Sequence, residues 1–409
     1  MTRRQRVLDA LDRRPTDRVP LDLGGMRSTG ISCFAYPGLR RALGLPDRPP
    51  LVEDTFQMLA IPELDVLDAL DVDVVTILDG VTNAFEQPDL WRDYDFGGRL
   101  RAKVRHPENF RVEPDGTVVQ GDARMVPGSY VFDTEHAGQP LNLDDLPPID
   151  VDRFREEVRR GYATPEEADR LAEFCRRVRE STDRAVFLND WRICTGISIH
   201  GFDGLAIFPM RCLLEPDTVR QLHEILTERA LHNIGLIAPR VRGLVDVAMM
   251  SADDWGTQQN LIAGPDTFRS LFLPYYRAAN DAWRQGAPEC RTFLHSCGAV
   301  YALIPLIREA GFDVLNPVQW TAGGHTAAEW KARADECGLA LWGGGMDSQA
   351  TLPLGTVQDV EEVARRAAET LSAGGGYVFC NIHNVLAEVE PEKVVAMYRV
   401  ARSVRPAER

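Results

Sequence analysis

Eight short runs rich in β-branched residues recur along the chain, each followed by a polar or glycine-rich turn and then by a segment of helical periodicity. They are RVPLDLGG (18–25), VDVVTILDG (72–80), RAVFLNDW (184–191), LVDVAMMSADDWG (244–256), RTFLHSCG (291–298), FDVLNPVQ (312–319), LALWGGGMD (339–347) and GGYVFCNIHN (375–384). Strand, helix and strand joined by right-handed crossovers build a parallel sheet, and eight such units close it into a (β/α)8 barrel, the TIM barrel of the α/β class. A doubly wound open sheet is the competing arrangement. It is disfavoured because no G-x-G-x-x-G follows the first run, and the clusters GGGMD and AGGGYV lack that spacing.

The connecting segments carry their own signals. VYALIPLIREAG, TAAEWKARADECG and VQDVEEVARRAAETLSAGG read as amphipathic helices, the first and last ending on glycine after the final turn. One domain is therefore expected over residues 1–409, opened by a capping helix within residues 1–17 that stops at Pro15. The connection from 81 to 183 is far longer than a crossover. Its FGG and PDG turns, set between alternating residues, predict an antiparallel excursion inserted after the second strand. Leaving a strand at its C-terminal end, that insertion would form a lid or substrate wall over the barrel mouth; a homodimer contact is the structural alternative.

Composition narrows the function classes. With 44% hydrophobic and 26% charged residues the chain can bury a large core, and disorder is excluded. A net charge of -15 argues against nucleic acid or anionic lipid as the main partner. The N-terminus has no apolar secretory core, no run approaches a membrane span, and eight cysteines without a C-x-x-C fit reduced thiols. A cytoplasmic protein acting on a small molecule is the expectation.

In a barrel the chemistry sits where strands end, on the C-terminal face. Here that face would carry Asp22 and Arg27, Asp79, Asn189, Asp190 and Arg192, Asp253 and Asp254, His295 and Cys297, Asn316 and Gln319, Asp347, and His383 with Asn384. Turn formation or helix capping explains any one of these singly, so their convergence from separate strands is the stronger signal. His295 and Cys297, two apart on a strand, share a face and form half of a metal site. The bland reading is a capped strand end with a buried thiol. The eighth run adds Cys380 and His383, with His383 nearer the loop face and Cys380 nearer the barrel wall; both stand as candidates for a third ligand. Two imidazoles and a thiolate with an open fourth position suit catalytic Zn²⁺, which would keep Cys297 deprotonated and activate a bound water or thiol.

The opening RVLDALDRRPTDRVPLDLGG, then DDWGTQQNLIAGPDTFRSLFLPYYR, FLHSCGAVYALIPLIREAGFDVLNPVQ, GGGMDSQATLPLGT and GGGYVFCNIHNVLAEVEPEKVVAM resemble the uroporphyrinogen decarboxylase superfamily, in order and over nearly the whole chain. The resemblance independently implies the (β/α)8 barrel. Porphyrinogen decarboxylases in that superfamily carry an arginine-rich motif after the first strand. GGMRSTGIS keeps only Arg27, while Asp79 falls near the position of their strand-two aspartate. The zinc-dependent methyltransferases carry H-x-C and a third ligand, usually Cys, in the final strand. His383 stands where that Cys would fall, a position at which decarboxylases also have a histidine.

The resemblance places His383 in the pocket without deciding between metal and substrate, and the preferred reading is a methyltransferase-like enzyme holding Zn²⁺ on His295, Cys297 and His383, with Asp254 or Asp347 orienting a ligand or acting as general base. A corrinoid (cobalamin) methyl donor would arrive on a separate protein, and a small O-methyl or N-methyl compound is the other donor. Arg27, Arg192, Asn316, Gln319 and Trp255 are the expected substrate contacts. The alternative is a metal-free decarboxylase or lyase of a small or cyclic carboxylic acid: Arg27 or Arg192 would bind carboxylate, Asp79 stabilise positive charge and His383 donate a proton. A barrel kept as a small-molecule binding protein is a third reading.

Overall fold

The computed structural model describes residues 1–134, 146, 148–197 and 204–407. Its central element is a curled sheet of seven parallel strands: β1 (Val74–Leu78), β2 (Ala185–Asn189), β3 (Val247–Ala252), β4 (Arg291–His295), β5 (Val314–Asn316), β6 (Ala340–Trp342) and β7 (Tyr377–Val378), paired in that order. An eighth, antiparallel strand, Val81–Thr82, folds back on β1. Residues 20–22 bond to both ends of the curl. Phe379 N donates to Pro20 O at 2.9 Å, Asp22 N to Phe379 O at 2.8 Å and Asp73 N to Leu21 O at 2.8 Å.

Helices run between the parallel strands as the periodicity predicts, among them Pro216–Val241, Leu273–Gly286, Ala327–Cys337 and Val357–Ser372. Their starts are chemically marked. Thr164, Thr326 and Thr356 each cap a helix reciprocally with the acidic residue three positions on, satisfying backbone donors that the first turn leaves unpaired.

Alternation along the strands sorts the inner face of the curl into layers. Val74, Phe187, Met249, Phe293, Val314, Trp342 and Val378 pack together, and Val7 and Leu11 of the helix Arg3–Leu11 join them. Phe187, Phe293 and Trp342 form an edge-to-face triad, with ring centroids 4.8, 5.6 and 5.7 Å apart. Two residues further along the same strands the inner positions become polar: Thr76, Asn189, His295 and Asn316. Asn189 Nδ2 donates to Thr76 Oγ1 at 3.0 Å, and His295 Nδ1 meets Asn316 Oδ1 at 2.6 Å.

The long stretch 81–183 contains an antiparallel pair, Arg92–Asp95 with Arg101–Val104, and a three-stranded sheet of Phe110–Val112, Val118–Gln120 and Ala123–Met125. Part of that stretch, residues 135–145 and 147, lies outside the described residues. Tyr94, Phe96, Phe110 and Phe132 pack edge-to-face or tilted with centroids 4.8 to 6.1 Å apart, so the aromatic residues Phe96 and Tyr94 belong to packing within this stretch. Trp91 is likewise buried.

Asp73, fully buried just before β1, accepts from Arg6 Nη1 at 2.6 Å, Arg18 Nη1 at 2.7 Å and Leu21 N at 2.8 Å. One carboxylate thus ties the N-terminal helix, residues 18–21 and the start of β1 together. Asp73→Ala would take the carboxylate from the partly buried Arg18, leave Arg6 with Asp17 alone and strip Leu21 N of its acceptor, and the expected loss is about 3 kcal/mol of unfolding free energy in a denaturant titration. A midpoint equal to wild type would reject this role.

Candidate metal centre

Because Phe293 faces the interior, His295 two residues later does the same at the end of β4, and the chain then leaves the sheet through Ser296, Cys297 and Gly298. This short loop is clamped between those following β3 and β5. Cys297 N donates to Asp254 Oδ1 at 2.8 Å, Trp255 N to Ser296 Oγ at 3.1 Å, Gly256 N to Cys297 O at 3.1 Å and Gly298 N to Gln319 Oε1 at 2.7 Å. A Cβ on Gly256 would stand 2.3 Å from Ala299 N, and one on Gly298, whose φ is +86°, 2.3 Å from Gly256 C. Backbone meets backbone here, so glycine is required on both sides.

Asn316 sets the tautomer of His295. Its Nδ2 donates to Trp342 O at 2.9 Å, which turns Oδ1 toward the imidazole as acceptor of the Nδ1 proton. The lone pair is thereby assigned to Nε2. Around that nitrogen lie Cys297 Sγ at 3.3 Å, Ser28 Oγ at 3.3 Å and Asp254 Oδ1 at 3.6 Å. His383 completes the group: the ligating atoms of His295, Cys297 and His383 all lie within 4.8 Å of one another. Its backbone is held by Ser348, whose Oγ accepts from His383 N and donates to His383 O, both at 3.1 Å.

Burial, reinforced by nearby His295, pushes the His383 imidazole down to about 4, so its ring is neutral at pH 7 and has a lone pair to offer. Burial and the Asp254 carboxylate push the Cys297 thiol well above its ordinary range. A divalent cation at this point would reverse that preference, because its charge favours thiolate. Two imidazoles and a thiol with converging donor atoms fit Zn²⁺ by donor chemistry and number, leaving a fourth position for an exogenous ligand.

The other expected site residues separate into distinct roles. Cys380 is fully buried within the interior cluster, close to Gly343, and outside the three-donor group. Asn316, an expected substrate contact, orients His295. Gln319, expected to be another, fixes the Cys297 loop. Trp255 is a core residue, its ring 4.1 Å from Phe272 and 5.0 Å from Phe268, because the chain after Asp254 turns inward. Asp347, expected near the reaction, accepts backbone N–H groups of Gln349, Ala350 and Thr351 and so caps the turn leading into Thr351–Leu354.

The two expected substrate-binding arginines are ion-paired. Arg27 lies 3.0 Å from Glu53, 3.4 Å from Asp54 and 3.5 Å from Asp79, and Arg192 bonds Asp190 through Nε and Nη2 at 3.0 and 2.8 Å. A cleft of about 300 Å³ runs beside Arg27, Glu53, Phe56 and Arg105. Another cavity, of about 550 Å³ and lined by Leu51, Ile61, Phe85 and Trp91, shares no residue with the three-donor group. The residue that sequence reasoning passed over is Ser28. Its only signal was its place in the GGMRSTGIS loop after the first run, since an isolated serine carries no metal-ligand pattern.

Residues 211–404 match the family model for uroporphyrinogen decarboxylase (URO-D). Among solved structures, a methyltransferase from Methanosarcina mazei is similar over 98% of this chain and 98% of its own, at 18% identity and a TM-score of 0.54. That likeness speaks to the fold. Xylanase 10B from Thermotoga maritima aligns over 62% of this chain and 91% of its own at 11% identity and a TM-score of 0.33. Endo-glycoceramidase II from Rhodococcus sp. aligns over 58% and 67% at 13% identity and a TM-score of 0.36; neither bears on the site. No curated protein sequence matches the chain.

The depressed His383 ring gives a pH prediction for the metal-free protein. Its folded value, about 4, lies below its ordinary 6.5, so the unfolded chain binds more protons between those values. The neutral ring's contribution to stability is therefore whole above about pH 6.5 and declines as pH falls toward 4. NMR titration of the His383 ring should show a midpoint near 4; a midpoint near 6.5 would mean that the ring is solvated.

Proposed function

Over residues 211–404 the chain belongs to the uroporphyrinogen decarboxylase superfamily, and on that premise we propose that it is a zinc-dependent methyltransferase-like enzyme. It moves a methyl group from a corrinoid carried by a partner protein, or from a small methylated compound, to a thiol or another acceptor. The observation that carries this reading is the convergence of His295, Cys297 and His383, from two strand ends, to within 4.8 Å. Bound there, Zn²⁺ supplies the Lewis acidity that makes a thiol nucleophilic near neutral pH.

The chain's own residues do the rest. Asn316 keeps the His295 lone pair on Nε2. Asp254 holds the Cys297 amide and lies beside the metal position, where it orients an incoming ligand. In this reading residues 20–22 complete a closed (β/α)8 barrel, the chain is one domain, and the stretch 81–183 walls the mouth and excludes water from an in-line methyl transfer. No helix among the described residues is long and apolar enough to cross a membrane; a cytoplasmic setting belongs to the proposal.

Metal-free decarboxylation would need a cation for the substrate carboxylate. Arg27 faces Glu53, Asp54 and Asp79, and Arg192 faces Asp190 and Glu167, so both expected cations are already paired with carboxylates. Metal analysis of protein purified without a histidine tag tests the proposal: wild type should hold about one equivalent of zinc and Cys297→Ala should lose it. Equal metal in both proteins would overturn it. Asn316→Leu should retain the fold while weakening zinc affinity about 10–100-fold in a chelator competition.

A further inference from the structure

Ser28 Oγ lies 3.3 Å from His295 Nε2, the same nitrogen that faces Cys297 Sγ. Ser28 sits in the short turn Arg27–Thr29 and is 8% exposed. We infer that Ser28 is a positioning residue whose hydroxyl donates to the anionic ligand, a thiolate, taken at the open position of the centre. This inference rests on the metal-centre reading above, and what it adds is a residue from a third segment that holds the thiol in place.

The loop bearing Ser28 is secured on both sides before any ligand arrives. Gly25 N donates to Asp22 Oδ1 at 2.8 Å, and Gly25 O accepts from Asn189 Nδ2 at 2.9 Å. At the other end Gly30 N donates to Asn384 Oδ1 at 2.9 Å, and Asn384 directly follows His383. A Cβ on Gly30 would lie 3.0 Å from Arg27 O and 3.3 Å from Asn384 Oδ1, so the turn is close-packed against the segment that carries the third donor. Ser28 and His383 are thus positioned through one shared contact.

The assigned tautomer decides what the hydroxyl does. With the proton on Nδ1, Nε2 is an acceptor, and Ser28 O–H donates to it. Among the described residues Ser28 Oγ has no other hydrogen-bond partner. When a metal takes the Nε2 lone pair, that acceptor is lost, and a buried hydroxyl without a partner is costly. The nearest replacement is an electron-rich ligand at the fourth position on the same side of the imidazole. A thiol entering there gives its proton to the buffer, and its sulfur accepts the Ser28 hydrogen bond. Asp254, 3.6 Å from Nε2, would otherwise disfavour a negative ligand at this point, and the hydroxyl offsets part of that repulsion.

The experiment uses the full chain loaded with one equivalent of Co²⁺ and titrated with 2-mercaptoethanol, following the visible spectrum. Ser28→Ala should retain Co²⁺ and the sulfur-to-cobalt band of Cys297 but bind the thiol about tenfold more weakly. Ser28→Thr should restore affinity to within about threefold, which a purely structural role for the side chain would not produce. Should Ser28→Ala be insoluble, Ser28→Gly removes the same hydroxyl, and loss of Co²⁺ from both variants would count against the inference. Equal thiol affinity at equal metal load would overturn the role of Ser28 alone. Wild type that takes up no metal would overturn the metal-centre reading together with it.

Discussion

Parallel pairing of seven strands sends their carboxyl ends to the same side of the sheet, and strand alternation then determines which side chains look inward there. Everything in the candidate site depends on this pair of constraints. The layer around Phe293 and Trp342 is apolar and close-packed, and the next layer holds Thr76, Asn189, His295 and Asn316. An imidazole in such a layer is buried on a rigid element, with its orientation set by a neighbouring strand rather than by a flexible loop. The bond from His295 to Asn316 is the local expression of that rule, since it joins the ends of adjacent strands and leaves Nε2 directed at Cys297.

The adjacent carboxylates Asp253 and Asp254 illustrate how the fold divides chemistry between neighbours. Asp253 is fully buried, and burial pushes its carboxyl up to about 7 even though Ser251 and Tyr276 each donate to it at 2.6 Å. Gly196 packs against it so closely that a Cβ there would overlap its carboxylate. Asp254 turns the other way, to the Cys297 amide and the imidazole of His295. One stiffens the loop after β3 and the other presents charge at the site.

Charge at the mouth is also arranged locally. A net charge of -15 says nothing of where the anions sit. Three of them, Glu53, Asp54 and Asp79, surround Arg27, and the Trp191 ring lies 6.0 Å from its guanidinium. Its guanidinium charge is thus offset by carboxylates of the protein itself.

The order of strand-like and helical runs was legible in the residues because periodicities of two and 3.6 are local properties, and the parallel sheet follows from their alternation. The H-x-C spacing was legible for the same reason: residues two apart on a strand must share a face. Whether Cys380 or His383 approached that pair was not, because both lie where the last strand breaks down and regular alternation no longer assigns a side. Nor could spacing separate Asp347, bound to backbone amides of its own turn, from Asp254, bound to a loop 43 residues away. Local sequence determined which elements form and which donors stand at their ends. Only tertiary packing decided which donors converge, since contacts such as Ser28 with His295 join segments 267 residues apart and depend on how the strands curl.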